Sequence, residues 1–372
     1  MLNTSINVSG IKPEIQSIVL KIINEERISK DEGLLLFTNA SISLLGSLAN
    51  AIRLKKNDSK VYFNKNIHIE PTNICVFDCK FCSYSRKLSK KIEAWELTID
   101  EMVNKLKDYK DSEITEVHLV GGVHPKMGLH YFIELIQKIK LIRPQRHVKA
   151  FTAVELEYMC RKAKVSYRKG LEMLKEAGQD SLPGGGAEIF DKEIRDKICA
   201  DKCDGKTWLE IHETAHSLKM PSNATILYGH IEKPKHIINH LSKLRDLQDK
   251  TLGFNTFIPL KYRNGNNQMS HIKEGTVLYD LRIYSFSRIF LDNFNHIKAY
   301  WPMIGKKTTQ NLLAFGVDDI DGTIDDTTKI YSMAGVEDQN PTMSVKEIVK
   351  LIKDVNKKPI QRDTLYNTIK TY

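Results

Sequence analysis

The sequence predicts an α/β fold, a (β/α)8 TIM-type barrel preceded by a helical N-terminal extension. From Asn66 onward, short strand-like apolar stretches alternate with amphipathic stretches of helical period. Repeated β-α units pair their strands in parallel, and eight such units close into a barrel. Glycines and potential ligand residues follow several of these strands, at the end where barrels of this type carry their active sites. A partial barrel of six units, (β/α)6, is the alternative architecture.

The first part of the chain is predicted to be helical. Apolar residues recur at helical spacing over Ile11–Glu26 and Ser41–Leu54, and a short helix opens near Asp31 between them. Lys60–Phe63 is predicted to be extended. We therefore divide the chain into an N-terminal helical extension at 1–64, a barrel at 65–320 and a C-terminal extension at 321–372.

Within the barrel range, strands and helices follow one another in order. Thr98 and Glu101 form the pattern of a capping box at the start of the first barrel helix. The strand count after Pro259 stays open. The predicted strands are Asn66–Glu70, Glu116–Val120, His147–Phe151, Asp180–Leu182, Asn223–Tyr228, Phe254–Ile258, His296–Tyr300 and Leu312–Phe315. The predicted helices are Ile99–Tyr109, Leu129–Ile142, Tyr167–Glu176, Ile189–Ile198, Thr207–Leu218, Pro234–Lys250 and Val277–Phe290.

Composition favours a soluble globular protein over a membrane or nucleic-acid-binding protein. The 372 residues are 41% hydrophobic and 27% charged, and no apolar run is long enough to span a bilayer. Met1–Gly10 lacks the pattern of a signal peptide, so we expect a cytoplasmic location. The net charge of +10 comes from lysines mixed with acids, as in Lys243–Lys250, which indicates a solvated surface rather than a nucleic-acid site. A basic rim would also attract an anionic substrate or an acidic electron donor.

Three cysteines, Cys75, Cys79 and Cys82, lie in one short segment with three and then two residues between them. Thiolates are the usual ligands of iron–sulfur clusters, and three of them would hold three corners of a [4Fe–4S] cluster and leave one iron open. An open metal position is typical of catalytic sites. A zinc site or an electron-transfer cluster would need a fourth ligand. The remaining cysteines are scattered and are predicted to be ordinary thiols: Cys160, Cys199 and Cys203.

Glycines at two predicted strand ends are candidates for ligand binding. Gly121-Gly122 ends the second barrel strand, where backbone without a Cβ lets a ligand approach closely. Gly184–Gly186 leads into a helix, whose N-terminus can bind an anion, although a flexible connection explains this run equally well. Glu155 follows the third strand, where it would bond ribose hydroxyls or simply favour a helix start.

Candidate acids, bases and substrate donors also lie near strand ends. His68, His124 and His230 fall close to three different strand ends, which raises the chance that one of them acts in proton transfer or substrate binding. Tyr84 and Arg86 follow the cysteines, and an arginine there would either pair with a carboxylate or lie on the surface.

The cysteine spacing, with Phe81 directly before the last cysteine, resembles the signature of the radical S-adenosylmethionine superfamily. Four stretches are similar to its menaquinone (futalosine) and deazaflavin branch, and the similarity runs from about Asp31 to Thr323. Within that branch, the Gly-Gly-Val-His-Pro loop, the triple glycine before Ala187 and the stretch Tyr228–Glu232 are most similar to aminofutalosine synthases. The four stretches are His68–Cys75, Val120–Pro125, Leu182–Glu188 and Phe315–Asp319.

This resemblance implies a [4Fe–4S] cluster, S-adenosylmethionine and an external electron donor of flavodoxin or ferredoxin type. It implies that a 5′-deoxyadenosyl radical adds to 3-[(1-carboxyvinyl)oxy]benzoate, giving 6-amino-6-deoxyfutalosine, methionine and CO₂ or bicarbonate in menaquinone biosynthesis. The cluster would lie on the three cysteines, and the catalytic candidates would be His68, His124, Tyr84, Arg86 and His230. The residues expected near S-adenosylmethionine are Phe81, Gly121, Gly122, Glu155, Gly184 and Gly185.

Four alternatives stay open. The nearest is dehypoxanthine futalosine cyclase, which typically has Asn where His124 stands. A deazaflavin-type enzyme acting on tyrosine is another. A non-catalytic iron–sulfur or zinc protein would differ in its metal content and in S-adenosylmethionine cleavage. A nucleic-acid-modifying member would bind RNA in a salt-sensitive manner, but the sequence contains no appended binding domain.

Overall fold

The computed structural model describes residue 6 and residues 10–89, 93–109, 114–322, 329–336 and 342–372. Within these ranges, no helix is both long enough and apolar enough to cross a membrane. The predicted helical extension is present as three helices: α1 (Pro13–Ile23), α2 (Lys30–Asn39) and α3 (Ile42–Asn57). Ser29 and Glu32 form a capping box at the start of α2, which stabilises its N-terminus.

The described strands are short, and most of them follow the predicted order along the chain. They are β1 (Lys60–Phe63), β2 (Asn66–Ile69), β3 (Glu116–Leu119), β4 (His147–Ala150), β5 (Ser222–Tyr228), β6 (Phe254–Lys261), β7 (His296–Ala299), β8 (Asp319–Ile320), β9 (Lys358–Arg362) and β10 (Thr368–Thr371).

The remaining helices cover the outside of the strands or connect them. The first six are α4 (Ile99–Lys107), α5 (Leu129–Ile142), α6 (Ala153–Ala163), α7 (Tyr167–Ala177), α8 (Lys192–Ile198) and α9 (Gly205–Ser217). The others are α10 (Pro234–Thr251), α11 (Val277–Phe290), α12 (Trp301–Ile304), α13 (Lys306–Leu312), α14 (Ile330–Met333) and α15 (Val345–Lys353).

Parallel pairing joins these strands into a barrel. One sheet has the order β2-β3-β4, and the other has the order β10-β9-β1-β8-β7-β6-β5, in which only β10 is antiparallel. Single bridges through Ser181 and Leu182 connect β4 to β5. On the other side, β1 pairs with β8 and runs directly into β2, where Asn66 N–H donates to the carbonyl of Gly322. The predicted TIM-type barrel is therefore confirmed.

Three local predictions differ from the structure. Leu312–Phe315, predicted as the eighth strand, contains the last residue of helix α13 and then a turn, in which Leu312 and Leu313 are both buried. The eighth strand is Asp319–Ile320, which is too short and too polar to be recognised. Asp180–Leu182 forms only the two bridges. Helix α6 was not predicted, although Thr152 caps it.

The division of the chain into three ranges stays a prediction. Strands from all three ranges pair in one sheet, since β1, β8 and β9 are neighbours there. Arg362 of β9 bonds through its guanidinium to the buried carboxylate of Asp319 in β8. The C-terminal strands therefore pack directly against the barrel.

Candidate active site

The cysteine loop leaves the carboxyl end of β2 and folds back over the barrel. Cys75 N–H donates to the carbonyl of Arg86, and Val76 N–H donates to the carbonyl of Val123. The start of the loop is therefore bonded both to the segment that follows the cysteines and to the segment that follows β3. Cys79 is buried, whereas Cys75 and Cys82 are partly exposed. All three are free thiols on one loop, as the predicted cluster requires.

A second segment holds the loop from the side of helix α8. Lys80 N–H donates to the carbonyl of Ile198 at 2.8 Å, and Asp78 N–H donates to Asp201 Oδ2 at 2.6 Å. Just beyond, Lys202 bonds to Glu188 Oε1 at 2.7 Å. The α8–α9 connection therefore fixes the loop and brings a buried cation close to it.

The donor set fits a cluster better than a single metal ion. Among the described residues, no group of three His, Cys, Asp or Glu side chains converges on a point that one ion would occupy. In a cubane each thiolate binds a different iron, so its three ligands need not converge on one point. Burial raises the pKa of the Cys75 and Cys79 thiols, and the positive charge of Lys202 counteracts this rise. This lysine favours the thiolate form that iron binds.

The glycine pair after β3 packs directly on the start of the cysteine loop. Gly122 N–H donates to the carbonyl of Thr72 at 2.7 Å. A Cβ added at Gly121 would lie 2.8 Å from Thr72 O, and one at Gly122 would lie 2.3 Å from Ile74 O. Because backbone atoms occupy that space, any side chain at these positions would displace the cysteine loop.

Glu155 connects two strand ends. Its carboxylate accepts hydrogen bonds from Thr152 N–H at 2.7 Å and from Thr152 Oγ1 at 2.8 Å, which completes the capping box of α6. The backbone of Gly121 also bonds to it, and burial nevertheless raises the pKa of Glu155 to about 7. The helix-start interpretation of this acid is therefore confirmed, and the same carboxylate lies beside the glycine pair.

A cavity of about 270 Å³ opens inside the barrel beside the cysteine loop. Among the described residues, four cationic side chains and two acidic ones contribute to its lining. The predicted site residues that line it are His68, Phe81, Cys82, Tyr84, Gly184 and Gly185. Its apolar and aromatic wall includes Leu227, Ile258, Leu260, Tyr262, Tyr300 and Met303.

Tyr84 and Arg86 stabilise the cysteine loop. The Tyr84 hydroxyl lies 3.2 Å from both Glu70 Oε2 and Thr72 O, and burial raises the pKa of Tyr84 well above its usual value. The Arg86 guanidinium bonds to the carbonyl of Ser83 at 2.9 Å and to Glu93 Oε2 at 2.5 Å. Tyr84 faces the cavity, whereas Arg86 does not line it.

Two predicted histidines lie outside the cavity lining. Lys126 N–H donates to His124 Nδ1, so His124 Nε2 carries the proton and donates to Glu96 Oε1 at 2.8 Å. The side chain of His230 is buried, its Nε2 lies 3.1 Å from Leu227 O, and burial lowers the pKa of His230. His124 therefore connects the segment after β3 to Glu96, and His230 bonds back to the end of β5.

Several cavity residues were not identified in the sequence. His118, Lys149 and Lys298 line the cavity from β3, β4 and β7, and Lys202 approaches the cysteine loop from outside the strands. The positions of His118, Lys149 and Lys298 could have been predicted from strand periodicity. Each is the third residue of a four-residue strand whose second and fourth residues are apolar, so it faces the opposite side of the sheet. Lys202 lies in a connection without any comparable pattern.

Comparison with known families agrees with this geometry. Residues 69–244 match the model of the radical SAM superfamily, and residues 251–371 match the CofH/MqnC C-terminal region. An aminodeoxyfutalosine synthase of Thermus thermophilus is 39% identical over 98% of this chain and 98% of its own length. A Streptomyces coelicolor protein of the same name is 33% identical over 98% and 95%.

A third relative has a different named activity. The 5-amino-6-(D-ribitylamino)uracil–L-tyrosine 4-hydroxyphenyl transferase of Methanocaldococcus jannaschii is 36% identical over 93% of this chain and 98% of its own length. The family therefore contains more than one activity on one scaffold.

Solved structures support the fold. The hydrogenase maturase HydG from Carboxydothermus hydrogenoformans superposes with a TM-score of 0.74 at 19% identity, over 95% of this chain and 80% of its own. Methylornithine synthase superposes with a TM-score of 0.73 at 17% identity, over 92% and 97%. This chain belongs to the radical S-adenosylmethionine superfamily and, within it, to the family of aminodeoxyfutalosine synthase and its relatives.

Proposed function

We propose that this chain is an aminodeoxyfutalosine synthase, which joins the 5′-deoxyadenosyl group of S-adenosylmethionine to 3-[(1-carboxyvinyl)oxy]benzoate. The observation that carries the proposal is 39% identity to a synthase of this name over 98% of both chains. The cavity supports it, because an apolar wall combined with cationic side chains suits an aromatic dicarboxylate. The product would be 6-amino-6-deoxyfutalosine, with methionine and CO₂ or bicarbonate.

In this proposal Cys75, Cys79 and Cys82 hold a [4Fe–4S] cluster, and its fourth corner is left for S-adenosylmethionine. When bound, the two cofactors supply a 5′-deoxyadenosyl radical. The contribution of this chain is to fix the loop through Arg86 and the α8–α9 connection and to keep Cys79 away from solvent.

The S-adenosylmethionine site would lie between the ends of β3, β4 and β5. Phe81, Gly184 and Gly185 line the cavity there, and Gly121-Gly122 with Glu155 lies directly behind the loop. Thr225 Oγ1 donates to the carbonyl of Gly184 at 2.6 Å, which keeps the triple-glycine backbone at the cavity wall. Backbone without side chains leaves space for the adenosyl group.

His68 and Tyr84 are the predicted catalytic residues that would face the substrate. We assign positioning roles to His124, Arg86 and His230, since the first bonds to Glu96, the second to the carbonyl of Ser83 and the third to the carbonyl of Leu227 in β5. The apolar side chains of Leu227, Ile258 and Leu260 line the cavity and would exclude water from the reacting centre.

We further propose an acidic one-electron donor of flavodoxin or ferredoxin type. Lys80 is exposed on the cysteine loop, next to Cys79, and would face such a donor. The predicted cytoplasmic location also stays part of this proposal.

Anaerobic turnover tests the proposal. The reconstituted protein is incubated with S-adenosylmethionine, a strong reductant and the carboxyvinyloxybenzoate, and the products are analysed by mass spectrometry. A product that carries the adenosyl group covalently on the substrate skeleton is expected. Free 5′-deoxyadenosine with unchanged substrate would contradict the synthase, and turnover of dehypoxanthine futalosine in a parallel incubation would identify the cyclase instead.

A further inference from the structure

One layer of the barrel interior is polar where such barrels are ordinarily apolar. Layers of a TIM barrel are dominated by branched aliphatic side chains. Here the third residues of four short strands line the cavity instead, while their second and fourth residues are apolar and buried. These third residues are His68, His118, Lys149 and Lys298.

Strand register makes three of them neighbours. His68 of β2 is paired with His118 of β3, and His118 is paired with Lys149 of β4, so the three lie side by side at one level. The two imidazole rings meet edge to face, with centroids 4.8 Å apart. Lys298 enters the same cavity from β7.

Both lysines are anchored by acids and retain donor capacity. Lys149 Nζ bonds to Glu116 Oε1 at 2.5 Å, and Lys298 Nζ bonds to Asp321 Oδ1 at 2.9 Å with Asp319 Oδ2 at 3.8 Å. An ammonium group has three N–H donors, and each lysine uses one of them in a hydrogen bond to its acid, so further donors are available.

Among the described residues, Asp321 and Glu188 are the acids of the cavity lining. The partners of the other lining cations lie behind the wall, since Lys261 pairs with Asp280 and Arg263 pairs with Glu274. The surface that faces the cavity therefore presents more cationic than acidic side chains.

His118 has a buried ring nitrogen that a ligand in the cavity could bond. Its Nε2 is buried and has no hydrogen-bond partner among the described residues. Burial, Lys149 and His68 together lower the pKa of His118 well below its usual value, so the ring is neutral and can donate one hydrogen bond. A buried polar atom without a partner costs free energy unless a ligand satisfies it.

We propose that three residues of this layer, His118, Lys149 and Lys298, bind the carboxylate on the aromatic ring of the substrate. The inference rests on the proposed function and adds the orientation of the substrate. The enol ether would lie at the end of the cavity next to Phe81 and Cys82, since this end adjoins the loop that would hold the cluster and S-adenosylmethionine. The ring carboxylate, at the far end of the molecule, then reaches the polar layer inside the barrel.

Equilibrium binding tests the inference without turnover. Affinity for 3-[(1-carboxyvinyl)oxy]benzoate is measured anaerobically by calorimetry, in the presence of S-adenosylmethionine and without reductant. A second ligand carries a carboxamide in place of the ring carboxylate. We expect His118→Phe and Lys298→Met to weaken binding of the acid by about 10- to 100-fold each, because each removes a hydrogen bond to a charged group. Binding of the amide should change far less.

His212→Phe is the matched control. His212 is a buried histidine whose Nε2 also lacks a partner among the described residues, but it stacks on Trp208 outside the cavity lining. This variant should bind the acid like the wild type. Unchanged acid affinity in folded His118→Phe and Lys298→Met, or failure of the wild type to prefer the acid over the amide, would overturn the inference. Either result leaves the turnover test of the synthase itself unaffected, since that test uses the wild type alone.

Discussion

The ammonium group of Lys202 lies 2.7 Å from Glu188 Oε1 and 5.3 Å from the centroid of the Phe81 ring. Phe81 directly precedes Cys82, and the charge of Lys202 also acts on Cys79. A positive charge in this position favours the more negative, reduced state of a bound cluster. Lys202 is therefore expected to tune the reduction potential.

Replacing Lys202 with Met should lower the midpoint potential of the cluster by on the order of tens of millivolts. An EPR-monitored redox titration measures this, with circular dichroism and iron content to establish that the variant is folded and loaded. Lys197→Met is the control, since Lys197 is a solvent-exposed residue of α8 whose partner among the described residues is Glu193 in the same helix. Equal potentials in Lys202→Met and wild type would refute the role.

Replacing Cys79 with Ala should abolish cluster binding and all cleavage of S-adenosylmethionine. Three thiolates are needed to hold the cluster and leave one iron open. Iron and sulfide analysis should give about four irons per wild-type chain and almost none in the variant. Cys160→Ala removes a buried thiol outside the loop and should keep the full iron content. Retained turnover in Cys79→Ala would reject the cluster assignment.

Replacing His124 with Asn should leave the cluster intact and reduce product formation. Asn can accept the bond from Lys126 N–H but is too short to reach Glu96, so the loop after the glycine pair loses one anchor. We expect a decrease in kcat of about tenfold, equivalent to about 1.4 kcal/mol. In Glu96→Gln the amide oxygen still accepts from His124 Nε2, so activity should be close to normal. Normal product yield from His124→Asn would show that His124 has no role in positioning and only distinguishes the synthases in sequence.

His240 should make the protein sensitive to acid. Phe190 N–H donates to its Nδ1 and its Nε2–H donates to the carbonyl of Thr225, so the buried ring must stay neutral. Burial lowers its pKa from 6.5 to about 3. Its contribution to stability is complete above pH 6.5 and is lost progressively as the pH falls toward 3. Between pH 6.5 and 5 this amounts to about 2 kcal/mol in the free energy of unfolding.

Urea unfolding at several pH values measures this contribution. His240→Leu should be less stable at pH 7, because two hydrogen bonds are lost, and its stability should fall less between pH 6.5 and 5. Replacement of the exposed His271 by Leu should leave the pH dependence as in the wild type. Identical pH slopes for wild type and His240→Leu would show that another group causes the acid sensitivity.

Local sequence patterns accounted for most of the elements and for the chemistry of the cysteine loop. The predicted bounds of Leu129–Ile142 and Val277–Phe290 are those of the structure, because the apolar period of a helix is a local pattern. Thr276 also caps the second of these helices. Thr98 and Glu101 form the predicted capping box for the same reason. The cysteine spacing was equally readable, since all three ligands belong to one loop.

Other features depend on contacts between residues far apart in the chain, which no local pattern encodes. The two-residue strand β8 exists because β1 and β7 lie on either side of it. Parallel register aligned His68, His118 and Lys149, and folding brought Lys202 to Phe81 over a separation of more than a hundred residues. The periodicity of the sequence indicates which face of a helix or strand is buried. Which residues that face contacts depends on strand pairing and side-chain packing, because these interactions form only in the compact chain.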